Sequence, residues 1–118
     1  MQRAAEIPPD QQVVPIVVIE EIIRGRLNTI RQAEAGIARV TIDQAYQLFE
    51  QTLADVRQLT VVSYTPQADV LFQEWRKQKL RIGTHDLRIA AICVAHSVML
   101  ISRNRRDFER IPGLAVEF

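Results

Sequence analysis

An α/β fold around a mainly parallel sheet is what this chain of 118 residues predicts. Two short apolar runs, Val13-Val-Pro-Ile-Val-Val18 and Val98–Ser102, are rich in β-branched or apolar residues and lack strict alternation. That is the signature of strands buried on both faces of a sheet. Between them lie stretches whose apolar residues recur at spacings of three and four, as in amphipathic helices. Strands separated by helices, with no repeat and no low-complexity tract, build parallel sheets.

Each element has its own justification. Residues 1–12, with Ile7-Pro-Pro-Asp10, read as an irregular or partly helical lead-in. Pro15 lacks a ladder donor, so it marks either the beginning of the first strand or an edge. From Ile19 the pattern turns helical through Ile22, Ile23, Leu27 and Ile30, and Gly25 and Gly36 weaken or divide that helix. Thr41-Ile-Asp-Gln44 fits a capping box that opens a second helix, with Ala45, Tyr46, Phe49, Leu53 and Val56 on one face. A short strand follows at Leu59–Tyr64. Thr65 then caps a helix whose first residue is Pro66, where the missing donor costs nothing. Ala68, Leu71, Phe72 and Trp75 form its buried face. Gly83 ends that segment, and Thr84 is expected to cap a helix over Asp86–Ser97 that is apolar nearly all round and therefore central. Val98–Ser102 is a buried strand and Leu114–Phe118 a terminal one.

Composition sets the outer limits. The length suits one domain, residues 1–118, and 47% apolar with 25% charged residues is ordinary for a globular protein. A net charge of +1 provides no global field to recruit nucleic acid, so any such binding needs a local patch. The lone Cys93 lies in Ile89-Ala-Ala-Ile-Cys-Val-Ala95 and reads as a buried structural thiol. No apolar run approaches the roughly 18 to 20 residues that span a bilayer, and no signal segment opens the chain. No membrane partner is expected, and the cytoplasm is the expected compartment.

Acidic residues fall where a site can form. Glu20 and Glu21 directly follow the first predicted strand, Asp86 starts a helix, and Asp107 follows the Val98–Ser102 strand by five residues. In an open parallel sheet, ligands gather beyond the carboxyl ends of the strands. Carboxylates converging there hold a divalent ion that activates water for phosphodiester cleavage. Each also has an ordinary structural account. Acidic residues in a helix's first turn are favoured by the macrodipole by about 0.3 to 1 kcal/mol, and Asp107 has Arg105, Arg106 and Arg110 nearby in sequence. His85 reads as a polar residue at an exposed helix start, and His96 as a favourable cation or cap where that helix ends. Arg76-Lys-Gln-Lys79 with Arg81, and Arg103 with Arg105-Arg106 and Arg110, suit an RNA backbone or a solvated face of mixed charge.

Three motifs in order resemble a known family. Pro15-Ile-Val-Val-Ile-Glu-Glu-Ile-Ile-Arg-Gly25 resembles the second strand and following helix of VapC-type PIN domains, in which Glu comes four residues before Gly. Asp86-Leu-Arg-Ile-Ala-Ala-Ile92 resembles the Asp-x-x-Ile-Ala-Ala motif, and Leu100-Ile-Ser-Arg-Asn-Arg-Arg-Asp-Phe108 with Ile111-Pro-Gly-Leu114 resembles the family's last segment. The resemblance spans roughly residues 13 to 118. It implies a three-layer PIN-like fold and an endoribonuclease that uses Mg2+ or Mn2+. Glu21, Asp86 and Asp107 would bind the metal, with Asn104 and Ser102 holding ligands or water. An RNA substrate, a cognate antitoxin and a homodimer are implied partners. The family's first strand, which ends in a metal-binding Asp, has no counterpart in Met1-Gln-Arg-Ala-Ala-Glu6. Its loss implies either weakened or absent cleavage, or a catalytically silent remnant that acts by binding an antitoxin or other partner.

Overall fold

The computed structural model describes residues 13–101, 108, 110, 111 and 113–117. Its first strand is short. β1 (Val13–Pro15) pairs in parallel with β2 (Thr60–Val62), placing Val13 opposite Thr60 and Pro15 opposite Val62. β3 (Leu100–Ile101) and β4 (Val116–Glu117) form a second parallel ladder, Leu100 facing Val116. The four helices are α1 (Ile16–Glu34), α2 (Ile42–Val56), α3 (Pro66–Lys77) and α4 (Thr84–Ala95). Parallel pairing with intervening helices is the α/β arrangement that the alternation predicts. Among the described residues the strands form two two-stranded ladders. The chain divides into two compact units, one of residues up to Val17 together with those from Thr60 onward, the other Val18–Leu59.

In the first unit α3 packs on α4, and α4 also meets β1. α4 is the centre of the core: Leu87 and the run Ile89, Ala90, Ala91, Ile92 and Cys93 are all buried. α3 contributes Ala68, Phe72 and Trp75, the spacing of one helical face. Thr65 caps α3 by accepting from the Ala68 N–H at 3.2 Å, with Pro66 at the first helical position. Phe108 and Ile111, near the end of the chain, are buried too.

In the second unit α1 ends in a Schellman turn. Gly36 takes φ +73°, its N–H donates to the Ala33 carbonyl, and the Ile37 N–H reaches back to Gln32. A positive φ there strains any side chain, which is why glycine occupies it. Gly25, by contrast, sits inside α1 without dividing it. α2 opens with the expected capping box: Gln44 Oε1 accepts from the Thr41 N–H at 3.0 Å, and Thr41 Oγ1 accepts from the Gln44 N–H at 3.4 Å. Its buried residues are Ala45 and Thr52.

Several expectations are corrected. The first strand stops at Pro15, and Ile16, Val17 and Val18 are helical. Proline's fixed φ suits entry to a helix and its missing donor ends the ladder, so Pro15 closes the strand instead of opening it. Glu20 and Glu21 therefore lie in the second turn of α1, whose first turn holds no acidic residue. The second strand is Thr60–Val62, shorter than Leu59–Tyr64. On α2, Tyr46 and Leu53 are 50% and 42% exposed, so the buried arc runs instead through Ala45, Phe49, Thr52 and Val56. The last helix begins at Thr84, with Gly83 in the capping position and no side-chain cap bond, and ends at Ala95. Of Val98–Ser102 and Leu114–Phe118, the described strand residues are Leu100–Ile101 and Val116–Glu117.

Candidate active site

Asp86 occupies the first turn of α4. It is half-buried, next to the half-buried His85, and the residue that follows, Leu87, points into the core at 2% exposure. The helix under Asp86 is thus anchored by a nearly continuous apolar surface, which gives the carboxylate a rigid base. Unpaired N–H groups and the positive end of the helix dipole favour negative charge in this turn.

Glu20 and Glu21 are both exposed on α1. Glu20 is engaged by Arg24, whose Nη2 stands 2.6 Å from its Oε2, an i,i+4 pair on the helix surface. Ser102, Asn104 and Asp107, and with them Arg103, Arg105 and Arg106, lie outside the described residues. Among the described residues, no three or more His, Cys, Asp and Glu side chains group closely enough to hold a metal ion. The full set of expected ligands includes Asp107, so the Glu21, Asp86 and Asp107 centre belongs to proposal. Oxygen donors alone make up that set, a chemistry that fits a hard ion such as Mg2+ or Mn2+ and not a thiolate-preferring metal.

Beside Asp86 the structure holds a polar cluster that sequence reasoning missed. The Tyr64 hydroxyl donates to Asp69 Oδ1 at 2.7 Å. The phenol's pKa is pushed up to about 12, first by burial and then by Asp69, while Arg88 opposes the rise. The Arg88 guanidinium stands 4.7 Å from the centre of the Phe72 ring, and that of Arg76 stands 5.5 Å from it. Phe72 itself is fully buried, so the two cations seat on a ring that offers no face for a nucleotide base. A half-buried tyrosine seeks a partner for its hydroxyl, and an Asp in the first turn of the next helix was the available signal for it.

The remaining candidates are ordinary. His96 is the C-cap of α4, in keeping with a role at the helix end, and its Nε2 lies 3.0 Å from the Ser63 carbonyl. Cys93 is free and buried, and burial pushes its thiol up to about 11, which makes it unreactive near neutrality. Arg76, Lys77, Lys79 and Arg81 are exposed along the end of α3 and the stretch after it, with Lys77 in a loose pair with Glu74 at 3.8 Å. Among the described residues no helix is long and apolar enough to cross a membrane.

No family model matches the chain. Curated relatives do. The tRNA(fMet)-specific endonuclease VapC of Salmonella typhimurium is 31% identical over 111 residues, covering 82% of this chain and 83% of that protein. This chain belongs to the VapC ribonuclease family. The Ribonuclease VapC of Rickettsia bellii is 28% identical over 107 residues, 91% of this chain and 75% of that protein. A shorter match, 50% identical over 40 residues, joins it to Ribonuclease VapC1 of Rickettsia felis and spans 30% of that protein's length. Two solved structures have the same fold. VapBC-1 from nontypeable Haemophilus influenzae superposes with a TM-score of 0.71 at 20% identity, over 96% of this chain and 78% of that one. DNA-bound VapBC from Salmonella typhimurium gives 0.66 at 22%, over 92% and 76%. The PIN-like α/β class expected from the motifs is therefore the fold of the VapC family, here with a small parallel sheet and abundant helix.

Proposed function

We propose that this chain is a metal-dependent endoribonuclease of the VapC toxin type, a single PIN-like domain over residues 1–118 that works in the cytoplasm. The observation that carries the reading is Asp86, half-buried in the first turn of the buried helix α4, within the Asp-x-x-Ile-Ala-Ala stretch of a chain that belongs to the VapC family. Glu21 is the second ligand. The Glu20 carboxylate is engaged by Arg24, which leaves its neighbour as the better candidate of the two. Asp107 is the third, and Asn104 and Ser102 hold ligands or water.

Bound there, Mg2+ or Mn2+ supplies an activated water and charge stabilisation at the scissile phosphate. The chain's own residues do the rest. The carboxylates fix where that chemistry happens, and the rigid base of α4 limits how far Asp86 drifts. Arg76, Lys77, Lys79 and Arg81 are exposed cations that meet the RNA backbone by charge alone, which makes binding steeply salt-dependent. No aromatic side chain is displayed for base stacking, because Phe72 and Trp75 are both buried. Cutting is therefore directed by RNA shape and backbone more than by stacked bases.

Solved structures of this fold include a toxin–antitoxin complex from Klebsiella pneumoniae, at a TM-score of 0.67. By extension we assign this chain an antitoxin as its protein partner, and a homodimer as its assembly. The test is cleavage of structured RNA by the purified chain with Mn2+ at low salt, against Asp86→Asn. The expected result is metal-dependent cleavage that Asp86→Asn removes. A parent that binds an antitoxin but cuts no RNA in Mg2+ or Mn2+ would establish a silent binding module instead. Cleavage that survives Asp86→Asn and chelation overturns the site.

A further inference from the structure

We infer that Arg88 is a positioning residue for Asp86, acting with Phe72, Tyr64 and Asp69 to fix the first turn of α4 against α3. The inference rests on the reading of Asp86 as a metal ligand. Its starting point is what α4 lacks. α2 and α3 each begin with a threonine whose hydroxyl accepts from the helix backbone, whereas α4 begins at Gly83 with no side-chain cap bond. A helix start without a cap leaves its first N–H groups unsatisfied by side chains and its first turn less tightly held. Yet that is the turn in which a ligand has to stay in place.

Arg88 supplies the missing tether. It lies two residues beyond Asp86, and its guanidinium covers the Phe72 ring at 4.7 Å. Phe72 is fully buried on α3, so the cation–π contact is shielded from water, where such contacts are strongest. The same guanidinium faces the Tyr64 hydroxyl, which donates to Asp69 Oδ1 at 2.7 Å. Asp69 and Phe72 are one turn apart on α3, and Tyr64 precedes its cap. The end of β2, the first two turns of α3 and the start of α4 are thereby joined through one set of side chains. Arg76 lies over the same ring at 5.5 Å, so the ring is held from its own helix as well. A planar guanidinium can stack on a ring and reach a hydroxyl together, and a lysine ammonium cannot do both.

Partners that orient a metal ligand without touching the metal typically change affinity by about 10- to 100-fold when removed. The test measures Mn2+ binding to the full chain by the electron paramagnetic resonance of the free ion, with thermal unfolding beside it. The variants are Arg88→Met, Arg88→Lys, Tyr64→Phe and Asp86→Asn. Arg88→Met is expected to weaken Mn2+ binding about tenfold, Arg88→Lys less, and Tyr64→Phe in the same direction. With RNA, turnover is expected to fall while KM stays near the parent's. If Arg88→Met fails to fold, Arg88→Lys and Tyr64→Phe carry the test. Mn2+ affinity within about twofold of the parent in every Arg88 and Tyr64 variant, while Asp86→Asn loses binding, overturns the positioning role alone. A rise in KM with unchanged Mn2+ affinity makes Arg88 a phosphate contact and also overturns it. Mn2+ affinity unchanged in Asp86→Asn removes the ligand reading, and this inference with it.

Discussion

Arg26 Nε donates to Thr52 Oγ1 at 2.9 Å, a bond that joins α1 to α2, and Thr52 donates onward to the Leu48 carbonyl at 2.9 Å. Thr52 is only 6% exposed and is the buried polar residue of α2. A half-buried guanidinium N–H deprived of its acceptor costs about 1 to 3 kcal/mol. Thr52→Val, which keeps the shape and removes the hydroxyl, is therefore expected to destabilise the chain by about 1 to 2 kcal/mol in urea unfolding. Thr52→Ser should lose less. Equal stability of the valine variant would show that the bond contributes nothing net.

The same residue shows what the sequence displays and what it hides. α2 has apolar residues at Ile42, Ala45, Tyr46, Leu48, Phe49, Leu53 and Val56. So broad a distribution proves a helix but does not choose the arc that is buried. Tyr46 and Leu53 looked like the natural centre of the face and are half exposed, while a threonine is inside because its hydroxyl bonds back to its own helix. Capping signals were legible because they are local: Thr41 with Gln44, and Thr65 with Pro66, act within one turn. The β1 to α1 boundary was not, because Ile16-Val-Val-Ile19 is β-branched and serves a strand or a buried helix start equally well. Asp86 was legible from its motif. The Tyr64, Asp69, Phe72 and Arg88 cluster was not, since it depends on how α3 meets α4, which no spacing along the chain encodes.

Caps give a paired prediction. Thr65→Ala should cost about 1 kcal/mol, because the Ala68 N–H loses its acceptor. Thr84→Ala should stay within about 0.5 kcal/mol of the parent, because Gly83 and not Thr84 stands at the cap of α4 and Thr84 is exposed. Thermal or urea unfolding of the two variants side by side decides it. A larger loss at Thr84 would place the cap where the sequence alone had it.

Alkaline pH should destabilise the fold through two groups. Cys93 is raised from 9.0 to about 11 and Tyr64 from 10.0 to about 12, both chiefly by burial. For a group whose folded pKa lies above its unfolded value, the stabilisation is complete below the unfolded pKa and is lost as pH rises through the folded one. Stability should thus decline from about pH 9 upward, with Cys93 responsible for the first part and up to roughly 2 to 3 kcal/mol in total. Cys93→Ala leaves a small void, so its absolute stability is no guide. Its slope of stability against pH between 9 and 11 is, and it should be flatter than the parent's. Parallel slopes would mean that the thiol ionises in the fold as readily as in the unfolded chain.

Metal should act on stability as well as on cleavage, and in a way that separates two roles of Asp86. As an acidic residue in the first turn of α4, it gains about 0.3 to 1 kcal/mol from the helix dipole with no ion present. Asp86→Asn in chelator is therefore expected to shift stability by no more than about 1 kcal/mol. As a ligand it does more. An ion that binds only the folded chain adds about 2.7 kcal/mol at a hundredfold excess over its Kd, enough to move Tm by several degrees in a chain of this size. Titrating Mn2+ into the parent should raise Tm steadily with concentration, while the Asp86→Asn curve stays flat. Glu21→Gln should fall between them, because one of several carboxylates loosens an ion without always releasing it. If Mn2+ raises Tm equally in the parent and in Asp86→Asn, the ion binds elsewhere, and Asp86 is left with its place in the helix dipole alone.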